Sequence, residues 1–215
     1  MKAYFISGLG ADRKAFYKLK LPAGYEPVYL DWITPGNGES LKEYATRFSS
    51  LINEERDFII IGLSLGGMIA SEIARLKSPR KVILLSSISV SNEMPWYYRL
   101  AGKIGVQKAI PVSVHKNMTI LNTFMGAASK ADRAMLLSFV KQTDPSFIRW
   151  AVNAILEWKQ QEPLGGVVHI HGNRDRILPI RYTHANRVIK EGRHLMVLNK
   201  AREINNVLSE VLSTS

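Results

Sequence analysis

Short apolar runs recur along the chain and are separated by polar or glycine-rich segments. Several of these runs are apolar nearly throughout rather than alternating, which is typical of strands that are covered on both faces in a parallel sheet. Their lengths also suit strands better than helices. We predict strands at residues 2–8, 26–32, 57–63, 81–87, 167–172 and 194–199.

Between these runs the apolar positions take a helical spacing. Ser40 and Glu43 stand at the spacing of a capping box, which marks the start of a helix. Further helices are predicted at 68–76, at 180–188 behind Pro179, and at 201–212. Strand and helix therefore alternate from residue 2 to 88 and again from 167 to the end. This alternation predicts a three-layer α/β domain with a mostly parallel sheet.

The segment at 89–166 breaks this alternation. It contains no predicted strand, but Ser129 and Asp132 repeat the capping-box spacing, and Asp144 opens an amphipathic pattern that continues to about residue 160. The aromatic run PWYYRL lies in the same segment, at 95–100. We therefore predict an all-helical insertion at 89–166 between two parts of one core, 1–88 and 167–215.

The composition is that of an ordinary globular domain. Of 215 residues, 46% are hydrophobic and 22% charged, and the absence of cysteine excludes disulfides, thiolate metal sites and cysteine nucleophiles. No apolar run approaches the roughly 18–20 residues of a membrane helix, and the apolar run at the N-terminus is too short for a signal peptide. The sequence therefore predicts a cytoplasmic enzyme or binding protein with no membrane span.

The formal charge of +11 raises the question of an anionic partner. Lys and Arg are scattered along the chain, with no basic run of five or more and no interleaving with aromatic residues. A solvated basic surface is the favoured interpretation, and attraction of anionic substrates is the alternative. No nucleic-acid partner is predicted.

A serine stands between a predicted strand and a predicted helix in the pattern G-x-S-x-G, at residues 62–66. A reactive serine on a sharp strand-to-helix turn needs small residues two positions before and after it, and Gly62 and Gly66 meet that need. The alternative is a glycine-rich turn that cradles phosphate. The segment lacks both the Lys-Ser/Thr pair of a P-loop and the G-x-G-x-x-G of a dinucleotide site. We therefore predict that Ser64 is a nucleophile.

With this motif in place, the chain resembles the α/β-hydrolase family over nearly its full length. ISGLGAD at 6–12 is similar to the family's oxyanion loop, with Ser7 where His is commoner. The resemblance implies that the backbone N–H groups of Leu9 and Leu65 hold an oxyanion. PGNGES at 35–40 is similar to the loop that often follows the family's second strand. Plain turn chemistry is the alternative for both loops.

HIHGNRDRILP at 169–179 is similar to the family's H-G-x-x-D-x-x-x-P segment. The resemblance implies that Asp175 is the acid that orients a catalytic histidine. The alternatives are that Asp175 forms an ion pair with Arg174 or Arg176, or that it caps a turn. Glu93 is the alternative acid, because some family members carry the acid one strand earlier.

Five histidines compete for the role of general base. His169 and His171 precede the acid, and His115 lies in the helical insertion. The family's chain order is serine, acid, histidine, and only His184 and His194 follow the acid. We predict His194, because it lies in a loop before the predicted last strand, whereas His184 falls within a predicted helix.

The resemblance implies a serine hydrolase that cleaves an ester, thioester or amide bond of a small-molecule substrate, with no metal or organic cofactor. Ser64 attacks the acyl carbon, His194 acts as general base, and Asp175 orients His194. Epoxide and haloalkane cleavage is disfavoured, because it usually requires Asp in place of the serine. The alternative is a ligand-binding or sensor protein that keeps the three residues but hardly turns over, since a fold and a triad do not establish activity.

The helical insertion occupies the position of the family's lid. Its aromatic residues are candidates for lining a substrate pocket. We predict Trp96, Phe124 and Trp150 as substrate-binding residues. The alternative is that these side chains form the core of the lid itself, as aromatic residues at helical spacing more often do.

Overall fold

The described residues build one parallel sheet with helices on both of its faces. The structure is a computed structural model that describes residues 1–52, 57–105, 124–127 and 129–213. The strands are β1 (Lys2–Ile6), β2 (Glu26–Leu30), β3 (Phe58–Leu63), β4 (Lys81–Leu85), β5 (Val168–Gly172) and β6 (Arg187–Ile189). They are parallel and lie in the order β2-β1-β3-β4-β5-β6.

This strand order places a topological switch at β1. The chain leaves β1 to form β2 on one side, and β3 then pairs with the opposite side of β1. Loops that leave the carboxyl ends of β1 and β3 therefore diverge to opposite faces of the sheet and leave a crevice between them. In open α/β sheets ligands bind at such a crevice.

The described helices are α1 (Leu41–Phe48), α2 (Leu65–Lys77), α3 (Trp96–Ile104), α4 (Lys130–Gln142), α5 (Pro145–Leu156), α6 (Met196–Asn199) and α7 (Ala201–Ser213). Short 3₁₀ helices stand at Arg13–Phe16, Ser49–Leu51, Ser91–Glu93 and Ile180–Tyr182. Both predicted capping boxes are present, at the starts of α1 and α4. No helix in the part of the chain that the structure describes is long and apolar enough to span a membrane.

Two apolar clusters, one on each face of the sheet, form the core. Along β1, Tyr4 and Ile6 pack with α1 and α2, whereas Ala3 and Phe5 pack with α6 and α7. This alternation follows from strand geometry, because successive side chains point to opposite faces. The same two-sided burial explains the run Phe58–Leu63, every residue of which is buried. The predicted three-layer α/β architecture is confirmed.

The helical segment between β4 and β5 contributes α3, α4 and α5. Helix α3 packs on α5, and α5 also contacts α1 of the core layer. The starts of α4 and α5 confirm the predicted helices after Ser129 and Asp144. The division of the chain into a core at 1–88 and 167–215 and a lid at 89–166 stays a prediction.

Two predicted elements near the C-terminus are wrong. Residues 180–188, predicted as a helix, hold a short 3₁₀ helix and then enter β6, which pairs with β5. Residues 194–199, predicted as the last strand, contain α6 instead. The sheet therefore ends with β6, and His194 precedes a helix.

The physical reason lies in burial. Met196, Val197 and Leu198 are all buried, so their run has no polar face, and a short apolar run without one does not distinguish a strand from a helical turn. The chain also folds back after β6, because Gly192 packs directly on Gly172. A Cβ on Gly172 would lie 2.2 Å from the carbonyl oxygen of Gly192. Such a contact between two glycines is a tertiary feature that periodicity does not report.

Candidate active site

Ser64 stands on a sharp turn between β3 and α2. Its backbone has φ 51° and ψ −119°, a conformation that residues other than glycine rarely adopt. The end of β4 and the residues after it fix the turn: the Ser64 N–H donates to the carbonyl of Leu85 (3.0 Å), and the Ser87 hydroxyl donates to the carbonyl of Ser64 (2.6 Å). Hydrogen bonds at both the N–H and the carbonyl of Ser64 therefore hold the strained turn.

Two glycines allow α2 to begin this close to the sheet. A Cβ on Gly62 would lie 2.4 Å from the carbonyl oxygen of Gly66, and a Cβ on Gly66 would lie 2.2 Å from the carbonyl oxygens of Ile6 and Ser7. Carbon atoms do not approach oxygen so closely without displacement of the backbone. The spacing of the G-x-S-x-G pattern therefore follows from the contact between α2 and the ends of β3 and β1.

Ser64, His194 and Asp175 form an unbroken chain of hydrogen bonds. Ser64 Oγ lies 2.9 Å from His194 Nε2, and His194 Nδ1 lies 2.8 Å from Asp175 Oδ2. An ionised carboxylate only accepts, so Nδ1 is the donating nitrogen, and in the neutral ring Nε2 is left to accept the serine proton. His194 and Asp175 are both buried. The fold thus brings together the three residues that the sequence analysis selected.

The carboxylate of Asp175 is held at both of its oxygens. Oδ1 accepts the backbone N–H groups of Ile177 (2.8 Å) and Leu178 (2.9 Å), while Oδ2 accepts from His194. Burial by itself raises the pKa of Asp175, but the neighbouring His194 and the hydrogen bonds from His171 and His194 lower it more, and the pKa lies well below its usual range. The carboxylate therefore stays ionised beside the His194 ring.

Glu93, the alternative acid, bonds to other partners. Its buried carboxylate accepts the backbone N–H groups of Ser89 (2.6 Å) and His184 (2.6 Å), and the His184 ring lies 3.0 Å away. Burial raises the pKa of Glu93, but hydrogen bonds from Ser89 and His184 outweigh burial and lower it. The hydrogen bonds of Asp175 and His194 thus favour this pair over Glu93 and His184. His115 lies outside the described residues.

The loop after β1 lies against Ser64. A Cβ on Gly8 would be 3.4 Å from the Ser64 Cβ. Ser7, which stands where the family more often has His, donates its hydroxyl to the carbonyl of Ala11 (2.7 Å) and closes the loop. The loop brings Leu9 to the cavity that Ser64 also lines. The pairing of the Leu9 and Leu65 N–H groups on an oxyanion stays a prediction.

An apolar cavity of about 470 Å³ opens beside Ser64 and His194. Its walls come from the loop after β1 and from α2, α3, α4 and α5. Apolar side chains dominate these walls, among them Met68, Leu136, Val140, Val152, Ile155 and Leu178. Among the described lining residues there is no Asp, Glu, Lys or Arg. Such a cavity suits an apolar group of a ligand.

The three predicted substrate-binding aromatics lie elsewhere. The structure places none of Trp96, Phe124 and Trp150 in the lining of this cavity. Trp96 and Phe124 are exposed. Trp150 donates its indole N–H to the carbonyl of Glu39 (2.7 Å) and packs on Tyr44, with ring centroids 4.3 Å apart. The indole N–H of Trp150 is therefore bonded to a residue outside the helical segment at 89–166.

Sequence reasoning missed the aliphatic residues that do line the cavity. Ile148, Val152 and Ile155 lie on one face of α5 and contribute three of these positions. Their spacing of four and three residues is the signal that could have found them. The prediction rested on aromatic size, but a large ring can pack between helices instead, as Trp150 does on Tyr44.

Comparison with known proteins identifies the family to which this sequence is similar. A model of the alpha/beta hydrolase family matches residues 3–206. The chain belongs to the alpha/beta hydrolase family. The predicted family and fold class are therefore confirmed. No curated protein matches the chain by sequence.

Solved structures share this hydrolase architecture at low sequence identity. An esterase from Exiguobacterium antarcticum matches with a TM-score of 0.74 at 15% identity, over 97% of this chain and 90% of the other. A thermophilic esterase from Thermogutta terrifontis matches at 0.69 and 14%, over 100% and 90%. A bromoperoxidase from Bacillus anthracis matches at 0.72 and 14%, over 96% and 90%. At these identities the likeness shows the common fold.

Among the described residues, no group of three or more His, Asp or Glu side chains is arranged to hold a metal ion. The buried polar groups around Ser64 bond to one another and to the backbone instead. The arrangement provides a hydroxyl, an imidazole nitrogen within hydrogen-bond distance of it, and an ionised carboxylate. These are the groups that nucleophilic acyl transfer requires.

Proposed function

We propose that the chain is a serine hydrolase that cleaves an ester, thioester or amide bond of a small-molecule substrate through an acyl-enzyme on Ser64. The observation that carries this proposal is the hydrogen-bonded chain Ser64–His194–Asp175 at the wall of an apolar cavity. Membership of the hydrolase family and the esterases among the similar structures agree with it.

In the proposed mechanism Ser64 Oγ attacks the acyl carbon while His194 Nε2 takes its proton. Asp175, ionised at neutral pH, stabilises the imidazolium that forms. The N–H groups of Leu9 and Leu65 receive the oxyanion of the tetrahedral intermediate. His194 then returns the proton to the leaving group, and a water molecule that His194 activates releases the acyl group from Ser64.

The cavity indicates the class of acyl group. Its described lining is apolar, and no charged side chain from this lining would compensate a buried charge on the acyl group. An uncharged, mainly hydrocarbon acyl chain is therefore the substrate group that it fits. The segment at 89–166, which supplies α3, α4 and α5 to the walls, acts in this proposal as the lid.

The proposal is tested with a fluorophosphonate probe and p-nitrophenyl esters of increasing acyl length. We expect the probe to label wild-type protein but not Ser64→Ala, and we expect Ser64→Ala to lose ester hydrolysis. Each methylene that enters the cavity should raise kcat/KM by roughly fourfold, because burial of one CH₂ is worth about 0.8 kcal/mol. The rise should stop where the chain fills the cavity.

Two results would overturn the proposal. If Ser64→Ala keeps the wild-type hydrolysis rate, another group performs the chemistry. If the probe labels Ser64 but every ester is turned over at a negligible rate, the chain is a ligand-binding or sensor protein that retains the three residues. A control variant, Ser50→Ala, removes an exposed hydroxyl on the surface and should behave like the wild type.

A further inference from the structure

Two buried histidines, His169 and His171, stand side by side behind Asp175. They alternate with Ile170 on β5, so that both rings lie on one face of the sheet while Ile170 packs into the cluster on the opposite face. Both histidines are almost fully buried. Apolar side chains usually fill such positions in a strand covered on both faces, and a buried imidazole needs hydrogen-bond partners.

Carbonyl partners determine which nitrogen of each ring carries the proton. His171 Nε2 lies 2.7 Å from the carbonyl oxygen of Leu178, and His169 Nε2 lies 2.9 Å from that of Ser87. A carbonyl oxygen only accepts, so Nε2 donates in both rings. His171 Nδ1 is then an acceptor, and it lies 3.1 Å from His169 Nε2. Burial, together with the neighbouring His171, lowers the pKa of His169 to about 4, which agrees with a neutral ring.

The donating nitrogen of His171 also faces the carboxylate of Asp175. His171 Nε2 lies 3.4 Å from Asp175 Oδ2, the oxygen that accepts from His194 Nδ1 at 2.8 Å. The same N–H thus contacts both ends of the turn from Asp175 to Leu178. The other carboxylate oxygen closes this turn from inside, through the N–H of Leu178.

We propose that His171, oriented by His169, is a positioning residue that fixes the Asp175 carboxylate and through it the ring of His194. This proposal rests on the proposed serine hydrolase function. Without the N–H of His171, the carbonyl of Leu178 loses this hydrogen bond, and the turn keeps the bonds of Ile177 and Leu178 to Asp175 Oδ1. The carboxylate can then rotate away from Nδ1, and the His194 ring loses its alignment with Ser64.

The chain of contacts continues away from the site to Glu93. His169 Nδ1 lies 4.0 Å from Glu93 Oε1, beyond hydrogen-bond range, and the same oxygen accepts from the backbone of His184. His169 therefore contacts Ser87 and His171 through the same nitrogen, Nε2. Its role in the proposal is to keep the His171 ring from turning, so that Nε2 continues to face Leu178 and Asp175.

Three variants separate positioning from mere stability. His171→Leu removes the N–H. His171→Gln keeps an amide N–H that is similarly distant from the backbone and can reach the carbonyl of Leu178. Ile170→Val removes one methylene from the same strand on the opposite face. Each variant is compared with the wild type for kcat, KM and Tm with one p-nitrophenyl ester.

We expect His171→Leu to lower kcat by roughly 10- to 100-fold with little change in KM, because misplacement of a catalytic group costs rate rather than binding. His171→Gln should recover most of the lost kcat. Ile170→Val should lower Tm but leave kcat close to that of the wild type. The double variant His169→Leu/His171→Leu should lose no more kcat than His171→Leu alone, because both act through one ring.

If kcat falls in proportion to Tm in all three single variants, or if His171→Gln recovers nothing, His171 has no positioning role. His171→Asn provides the same comparison should His171→Leu not fold, because its amide is too short to reach Leu178. Labelling of wild-type Ser64 by the fluorophosphonate probe is measured in parallel. Failure of that labelling would overturn the hydrolase function itself, whereas labelling without the expected kcat pattern overturns only the positioning role.

Discussion

At the scale of the residue, the site depends on a serine in a conformation that its side chain disfavours. A positive φ outside glycine costs on the order of 1–3 kcal/mol, and Ser64 has φ 51°. Hydrogen bonds from Ser87 and to Leu85 offset this cost. The small residues on either side were predicted from the motif, and the contacts of Gly62 and Gly66 give the physical reason for them.

Gly66→Ala tests the close contact between α2 and the ends of the strands. The added Cβ would lie 2.2 Å from two carbonyl oxygens, so we expect the free energy of unfolding to fall by about 3 kcal/mol, together with loss of probe labelling at Ser64. Urea unfolding and the labelling assay measure the two effects. Gly165→Ala is the control, because nothing lies within 4 Å of its added Cβ. Equal stability of the two variants would contradict the packing argument.

Asp175→Asn tests the orienting acid. The amide oxygen of Asn can still accept from Ile177 and Leu178, but its NH₂ would face His194 Nδ1 and favour the tautomer with the proton on Nε2. We expect kcat for a p-nitrophenyl ester to fall roughly 10⁴-fold, the loss that the wrong histidine tautomer causes in known serine hydrolases. Asp57→Asn, at the amino end of β3, should keep kcat. A loss below tenfold in Asp175→Asn would mean that another carboxylate orients His194.

At the scale of the element, the cavity depends on how α3 sits against α5. Gly102 makes the contact close: a Cβ there would lie 2.7 Å from the carbonyl oxygen of Leu156. Tyr98 and Ala101 of α3, and Ile155 of α5, line the cavity. Helix α5 was predicted from its cap and periodicity, whereas α3 was not. The close approach of the two helices depends on Gly102, which no local pattern indicates.

Gly102→Ala should therefore change binding more than chemistry. The added methyl group forces α3 away from α5 and alters the cavity walls while Ser64, His194 and Asp175 stay in place. We expect KM for the longest well-cleaved ester to rise severalfold with kcat nearly unchanged. Steady-state kinetics along the ester series measures this, with the exposed neighbour Lys103→Ala as control. A fall in kcat alone would show that α3 acts on the chemistry rather than on the cavity.

At the scale of the whole molecule, the basic residues and the ionisable residues of the site differ in burial. No Lys or Arg of the described chain is buried, so the described basic residues are all at least partly exposed to solvent, as the scattered pattern indicated. The interior holds instead a set of histidines and carboxylates around the site, among them His169, His171, His194, Asp175 and Glu93. Those with shifted pKa values, His169, Asp175 and Glu93, make the stability of the fold depend on pH.

The lowered pKa of His169 determines the direction in which stability changes with pH. Its pKa is lowered from 6.5 to about 4 by burial and by His171, so between these values the unfolded chain binds a proton that the folded chain does not. Stability is therefore present above about pH 6.5 and is lost as the pH falls towards 4. We expect Tm to drop across this window in the wild type and to drop less in His169→Gln, by thermal melts at each pH. Ile170→Val should keep the wild-type slope, and an unchanged slope in His169→Gln would contradict the assignment.

The low pKa of Asp175 adds a second loss of stability at more acidic pH. Its folded-state pKa lies below the unfolded value, so the stabilisation is present above about pH 4 and disappears as the pH falls through the folded value. The two groups thus act in successive windows. Protonation of either group at acidic pH therefore lowers the stability of the folded chain.

The sequence by itself determined the alternation of strands and helices as far as β5 and the turn at Ser64, while the resemblance to the hydrolase family implied the chain order that selects Asp175 and His194. The alternation and the turn rest on local spacing and steric need, which neighbouring residues express directly. Tertiary structure alone decided that 187–189 is the edge strand and 196–199 a helix, and which aliphatic residues line the cavity. It alone also joined His171 to Asp175. These outcomes depend on contacts between segments far apart in the chain. Such contacts produce no periodic pattern of apolar and polar residues in the sequence.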